Sequence, residues 1–141
     1  MPIDPEVQRL ATEPNYATVV TLMPGGQPQA QLTWVDADDE FLLVNTEEGR
    51  QRTRNTHRDA RITVLVRSES DPYDFVEVRG RVVEFVGGQE ARDHIDFLSR
   101  KYDGCDYQRP IGPGGRVILK IAADRVLSYR STRNQPPATE E

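Results

Sequence analysis

Cysteine and histidine are scarce in this 141-residue sequence, which has one cysteine, Cys105, and two histidines, His57 and His94. A single thiol excludes an internal disulfide and every cysteine-rich metal cluster, and two histidines far apart in the chain match no ligand spacing. No resident metal is expected. Apolar residues make up only 36%, so there is little core to spare, and the length fits one domain rather than two. No stretch approaches the roughly 18 consecutive apolar residues of a bilayer span. The start, Met1-Pro2-Ile3-Asp4-Pro5-Glu6, carries neither a basic nor an apolar region, so a cytoplasmic protein without a membrane span is expected. Positive charge is also outnumbered: 18 Lys and Arg against 23 Asp and Glu give a net charge of -5. That field opposes a general nucleic-acid role, and any anion site must be local. Serine in a nucleophile elbow is lacking, and no base marks Cys105 as a nucleophile.

What is present reads as strands. Asp4-Pro5-Glu6 is a helix start, Asp4 the N-cap and Pro5 the first helical position, leading to Val7 and Leu10 before Pro14. Tyr16 to Met23 is rich in β-branched residues, Pro24-Gly25-Gly26-Gln27 is a turn, and Gln29 to Trp34 alternates polar with apolar, which predicts a hairpin. A second turn, Asp36-Ala37-Asp38-Asp39, leads to the apolar run Phe41 to Asn45, a third strand continuing a meander. Gly49 to Arg58 reads as a short helix or turn. Ile62 to Val66 is a fourth strand, and Phe75 to Phe85 alternates over its whole length, with Gly80 placed for a bulge or bend. Glu90 to Tyr102 is the main helix, with Ala91, His94 or Ile95, Leu98 and Tyr102 on one side. Val117 to Val126 is a sixth strand. Six strands, one main helix and short flanking helices predict a mainly β, closed or split barrel over residues 1–130, with a polar, disordered tail at 131–141. The thin core predicts a second copy covering one barrel face.

The most informative stretch runs from Asn45 to His57 and Arg58, with Arg50, Arg52, Arg54 and Arg58 close together. Backbone N–H groups, the Thr46 hydroxyl and several guanidinium groups can together bind a phosphate. Arg50 and Arg54, four apart, are expected to share a helix face, with Arg52 pointing elsewhere. The same run also fits a solvated basic face paired with Glu47 and Glu48, the commoner fate of a surface charge run. Trp34 ends one strand, and Asn45 and Thr46 end the next. If those strands are neighbours, an aromatic wall and polar groups meet near the arginines. Trp34 fits equally well as the largest core residue. Gly112 to Gly115 contains Pro113 and precedes a strand, so it is a loop and not a dinucleotide fingerprint.

The succession Thr18-Val19-Val20-Thr21-Leu22, Gly26-Gln27-Pro28-Gln29-Ala30, Leu32-Thr33-Trp34, Leu43-Val44-Asn45-Thr46, Gly49-Arg50, Arg54-Asn55, Arg58-Asp59-Ala60-Arg61 and Val76-Glu77-Val78-Arg79-Gly80 resembles the pyridoxamine 5′-phosphate oxidase-like split β-barrel family. Within it, the likeness is to the flavin/deazaflavin oxidoreductases of the B group, over about residues 8 to 128. The resemblance implies an FMN-binding split barrel that forms a homodimer, with the cofactor in a groove between subunits. It implies that Arg50 and Arg52 hold the cofactor phosphate region and that Asn55 supports the turn. Val44, Asn45 and Thr46 then edge the tricyclic ring, and Gln31, Thr33 and Trp34 line its other border. Tyr73 and Arg109, in loops near strand ends, are expected to be substrate-side or partner-subunit contacts. The Arg-x-His substrate grip of true pyridoxamine phosphate oxidases is absent from Tyr129-Arg130-Ser131-Thr132-Arg133-Asn134, which disfavours vitamin B6 oxidation. The expected activity is an F420-dependent reductase passing hydride to an electron-poor conjugated small molecule such as a quinone, an enone or a tetrapyrrole. The alternatives are an FMN-binding oxidoreductase of the same fold and a non-catalytic protein that binds F420 or another flat ligand.

Overall fold

A computed structural model describes residues 2–130; the tail expected at 131–141 lies outside them. In chain order the elements are α1 (Pro5–Thr12), β1 (Ala17–Leu22), β2 (Pro28–Thr33), β3 (Asp36–Ala37), β4 (Leu42–Glu47), α2 (Gln51–Arg58), β5 (Arg61–Arg67), β6 (Phe75–Val86), α3 (Gly88–Asp103) and β7 (Arg116–Tyr129). All seven strands join one antiparallel sheet in the order β2-β1-β5-β6-β7-β4-β3. No helix among the described residues is long and apolar enough to cross a membrane.

Chain length dictates the curvature of this sheet. Its outermost strands are β2 and β3, yet Trp34 and Val35 are all that separates them in sequence. Laid flat, seven strands at the usual spacing put the two edges about 29 Å apart. The link from Thr33 to Asp36 reaches about 10 Å at most. The sheet must therefore curl until its edges nearly meet, giving an open half-barrel. Inward side chains from alternate positions, among them Val19, Val44, Val64, Val66, Val76, Val78, Leu119 and Ile121, fill the interior, and Val7, Leu10 and Ala11 of α1 pack into it. Asp4 caps α1 as expected, its side chain accepting from the Glu6 and Val7 N–H groups.

Two expectations need correcting. There are seven strands rather than six, because Asp36 and Ala37, read as a turn, pair with Leu43 and Leu42. The meander also fails: β4 pairs with β7 and β3, and β2 is not its neighbour. The apolar run in β4 has a cause other than a central meander position, since both faces are covered. Leu42 and Val44 face the barrel interior, whereas Leu43 packs with Ala91 and Ile118 beneath α3.

Gly80 sits where the pairing of β6 with β7 shifts register. A Cβ there would stand 2.1 Å from the Ala122 carbonyl oxygen, so only glycine allows the two backbones to approach this closely. Gly80→Ala is expected to destabilise the fold by about 1–3 kcal/mol through overpacking, measured by urea unfolding.

The C-terminal turn of α3 locks the link between the sheet edges. Lys101 Nζ donates to the Ala11 carbonyl at 2.9 Å and the Val35 carbonyl at 2.7 Å. The Tyr102 hydroxyl accepts from the Val35 N–H at 3.1 Å and donates to the Asn15 carbonyl. Burial lowers the Lys101 ammonium from 10.5 to about 8, and burial raises the Tyr102 phenol above its ordinary value of 10.0. Because the folded value of Lys101 lies below that of a free lysine, the unfolded chain binds the extra proton from about pH 8 upward. Stability then rises with pH. The Tyr102 phenol works in the opposite sense, but only above pH 10.0, where the unfolded chain begins to lose that proton. Thermal unfolding followed at pH 8, 9 and 10 is therefore expected to show a rising Tm, with the rise flattened in Lys101→Met.

Candidate functional site

A cleft of about 430 Å³ opens where the curled sheet leaves its edges unpaired, and Gln31, Thr33, Trp34, Asn45, Arg50, Arg52 and Arg109 all line it. Strands that are not sheet neighbours thus meet here because the barrel is split. The structure does not bring Val44, Thr46, Asn55 or Tyr73 to this wall. Val44 is buried in the barrel interior. Thr46 is buried behind Arg52 and accepts its Nε–H at 2.9 Å. Asn55 is buried beneath α2, where its amide donates to Thr21 Oγ1 at 3.0 Å and Gln29 Oε1 at 3.3 Å, tying the helix to the β1–β2 hairpin. Tyr73 lies in the β5–β6 loop.

The arginines are arranged by the turn after β4. Gly49, at φ +92, turns the chain, and Arg50 then takes extended backbone as the N-cap residue of α2. Arg50 is consequently not on the helix, so the expected pairing with Arg54 on one helix face does not occur. Arg50 and Arg52 share the cleft instead, while Arg54 is exposed and donates to Gly49 and Gln51. Glu47 stands 3.5 Å from Arg50 Nε and 3.5 Å from Arg116 Nη1. Burial opposes its ionisation, but the Gly112 N–H at 3.1 Å and the two guanidinium groups outweigh that and hold Glu47 below the ordinary carboxylate value. Placing Gly112 is what the Gly-Pro-Gly-Gly loop does for the site.

Arg52 is only 7% exposed and makes no ion pair among the described residues. Burial, then the neighbouring Arg50 and Arg116, lower its guanidinium to about 10, which still leaves it charged at neutral pH. Four arginines border the cleft, and Glu47 is the carboxylate shared by two of them. Two of the four, Arg52 and Arg116, are buried, and buried guanidinium groups in excess of carboxylates are costly without a counter-ion, which suits the cleft to an anion.

Sequence reasoning missed Tyr16, Leu32, Ile95, Tyr107 and Arg116, which complete the wall. Trp34 stacks on Tyr102 at 5.1 Å and meets Tyr107 edge-on at 6.3 Å, forming a flat aromatic side. The Arg116 guanidinium lies over the Tyr107 ring at 5.3 Å. One signal for Arg116 existed, a charged residue opening the apolar run Val117-Ile118-Leu119. Tyr107, in a loop, carried none.

Because Arg52 is buried with like charges around it, Arg52→Met is expected to leave the ligand-free protein as stable as before or more so. The same change is expected to weaken phosphate-ester binding by about tenfold or more, through loss of a charge-assisted contact. Differential scanning calorimetry and calorimetric titration check the two halves.

The whole chain has clear relatives. A family model described as pyridoxamine 5′-phosphate oxidase matches residues 3–130. Among solved structures, an F420 reductase superposes with a TM-score of 0.77 at 26% identity, over 89% of this chain and 98% of that one. The Mycobacterium tuberculosis protein Rv2991 gives 0.74 at 22% identity, covering 100% of this chain and 92% of that one. The General Stress Protein 26 of Bacillus anthracis str. Sterne gives 0.67 at 16% identity, covering 88% and 91%. No curated protein matches the sequence significantly.

Proposed function

This chain belongs to the pyridoxamine 5′-phosphate oxidase family, and on that premise we propose that it is a cytoplasmic, homodimeric reductase of the flavin/deazaflavin B group. Its cofactor is F420, bound in the cleft between Trp34 and Arg52, and its substrate is an electron-poor conjugated small molecule such as a quinone, an enone or a tetrapyrrole. The observation that carries the reading is the buried, carboxylate-free guanidinium of Arg52 among further arginines. The likeness to an F420 reductase at 26% identity supports the choice of cofactor.

The residues present fit a cofactor with a phosphate at one end and a flat ring at the other. Arg50 and Arg52, which line the cleft, would hold the phosphate end, with Thr46 fixing Arg52 in place. Gln31 and Thr33 from β2, with Trp34 just after it, would border the ring, and Tyr107, edge-on to Trp34, would extend that wall. When bound, a reduced deazaflavin supplies the hydride, so the protein needs no obligatory nucleophile or acid–base pair. Its part is to orient, to exclude water behind the aromatic side, and to hold positive charge near negative charge that develops on the acceptor. The arginines would grip the phosphate of FMN equally well. Leu32 is 75% exposed and Tyr16 41% exposed at the rim of the cleft. Such an apolar rim favours cover by a second copy.

The reading is tested by titrating the purified protein with F420 and FMN side by side, following fluorescence of Trp34, the sole tryptophan. Micromolar or tighter binding of F420 with weaker FMN binding is expected, and Arg50→Ala is expected to cost about 1–3 kcal/mol of that affinity. Preference for FMN would move the protein to the flavin branch, and binding of neither would overturn the proposal. In light scattering at micromolar concentration a dimer is expected, and a monomer that still binds cofactor would remove the shared groove.

A further inference from the structure

Asn45 lines the cleft, yet its side chain is committed elsewhere. Its Oδ1 accepts from Arg116 Nε at 2.8 Å, and its Nδ2 donates to the Ala91 carbonyl at 3.0 Å and meets His94 Nδ1 at 3.1 Å. The Arg116 contact fixes which end of the amide is oxygen, so Nδ2 must be the donor toward His94. His94 Nδ1 therefore accepts, and the ring carries its proton on Nε2, which points at Asp36 Oδ2 3.0 Å away. A continuous chain runs Asp36–His94–Asn45–Arg116, from the short strand β3 through α3 and β4 to the start of β7. Asn45 is 3% exposed and Arg116 is 7% exposed.

At the end of this chain the Arg116 guanidinium has its Nε and Nη2 spent on Asn45, Nη2 reaching the Asn45 carbonyl at 3.3 Å. Its Nη1 is buried with no hydrogen-bond partner among the described residues, and Glu47 Oε1, at 3.5 Å, is an ion-pair neighbour without hydrogen-bond geometry. Leaving such a donor unfilled is costly. Three elements nevertheless cooperate to hold it there, beside the cleft that Arg50 and Arg52 also line.

We propose that Arg116 is a ligand-binding residue whose Nη1 donates to an oxyanion in the cleft, and that Asp36, His94 and Asn45 are the positioning residues that aim it. The proposal rests on reading the cleft as an anion site and not on which cofactor fills it. The ligand group is a phosphate or a carboxylate, held by a planar guanidinium whose orientation, and not only its charge, matters. Glu47 Oε1 stands 3.5 Å from the same Nη1 and leaves Nε and Nη2 to Asn45.

The test uses inorganic pyrophosphate as probe in calorimetric titrations of the full chain. Arg116→Lys, which keeps the charge and loses the fork, is expected to bind about tenfold more weakly. His94→Leu keeps every arginine and breaks the chain, and is expected to weaken binding by about three- to tenfold. His94→Gln, whose amide can both accept from Asn45 and donate to Asp36, is expected to restore affinity to within about twofold of the parent. A His94→Leu protein with a lowered Tm but parental affinity would show a merely structural histidine and overturn the positioning role. Parental affinity in Arg116→Lys would overturn the binding role. Should either variant fail to fold, ¹⁵N NMR of the parent protein decides: the Arg116 side-chain resonances must shift on addition of pyrophosphate, and unmoved resonances overturn the proposal. Pyrophosphate binding without binding of F420 or FMN would remove the cofactor reading and leave this one standing. Cofactor binding that Arg116→Lys leaves untouched would do the reverse.

Discussion

The link of Trp34 and Val35 between the two edge strands is the constraint on which the rest of the molecule depends. It is too short to let the sheet lie open, and Lys101 and Tyr102 hold its backbone from the end of α3. Once the edges are drawn together, β2 and the end of β4 face one another without sharing a single ladder hydrogen bond. The cleft is the space left between them. Its aromatic wall is a consequence of the same lock, because Trp34 in the link stacks on Tyr102 in the clamp. Fold closure and site formation are one event here.

Charge is distributed to the opposite effect. A net charge of -5 over the chain coexists with a cleft where guanidinium groups outnumber carboxylates. The protein holds that local excess by attaching each buried arginine to neutral partners: Thr46 for Arg52, Asn45 for Arg116. Neutral acceptors orient a cation without cancelling its charge, whereas an aspartate in either place would satisfy the guanidinium and abolish its attraction for a ligand. Glu47 alone moderates the field.

Local chemistry was readable along the chain, and tertiary pairing was not. Asp4 and Pro5 announce α1, the alternation of Phe75 to Phe85 announces β6, and Gly80 marks a bend, because each signal lies within a few residues of its effect. The neighbours of β4 escaped, since an apolar run says that both faces are covered without saying by what. Arg50 and Arg52 stood out as a local cluster of positive charge and both line the cleft, but helical spacing misled, because Arg50 precedes the helix. Asn45 drew attention as a candidate ring contact; its partners Ala91, His94 and Arg116 come from elements distant in sequence, and no local pattern shows that its amide is already engaged. Arg116 left one local trace, a charge opening an apolar run, which says nothing of the partners that orient it.

The pairing of β4 with β7 also sets an order of events. Asn45 meets Ile118 across about half of the chain, and β7 also binds β6 along nearly its whole length. During synthesis β4 emerges early and has only the two residues of β3 to pair with, leaving a strand of buried-type side chains with an open edge. Folding therefore waits on the ribosome to deliver the last strand, and until then the interval is one of exposure, when chaperones or neighbouring nascent chains can reach an unsatisfied β4.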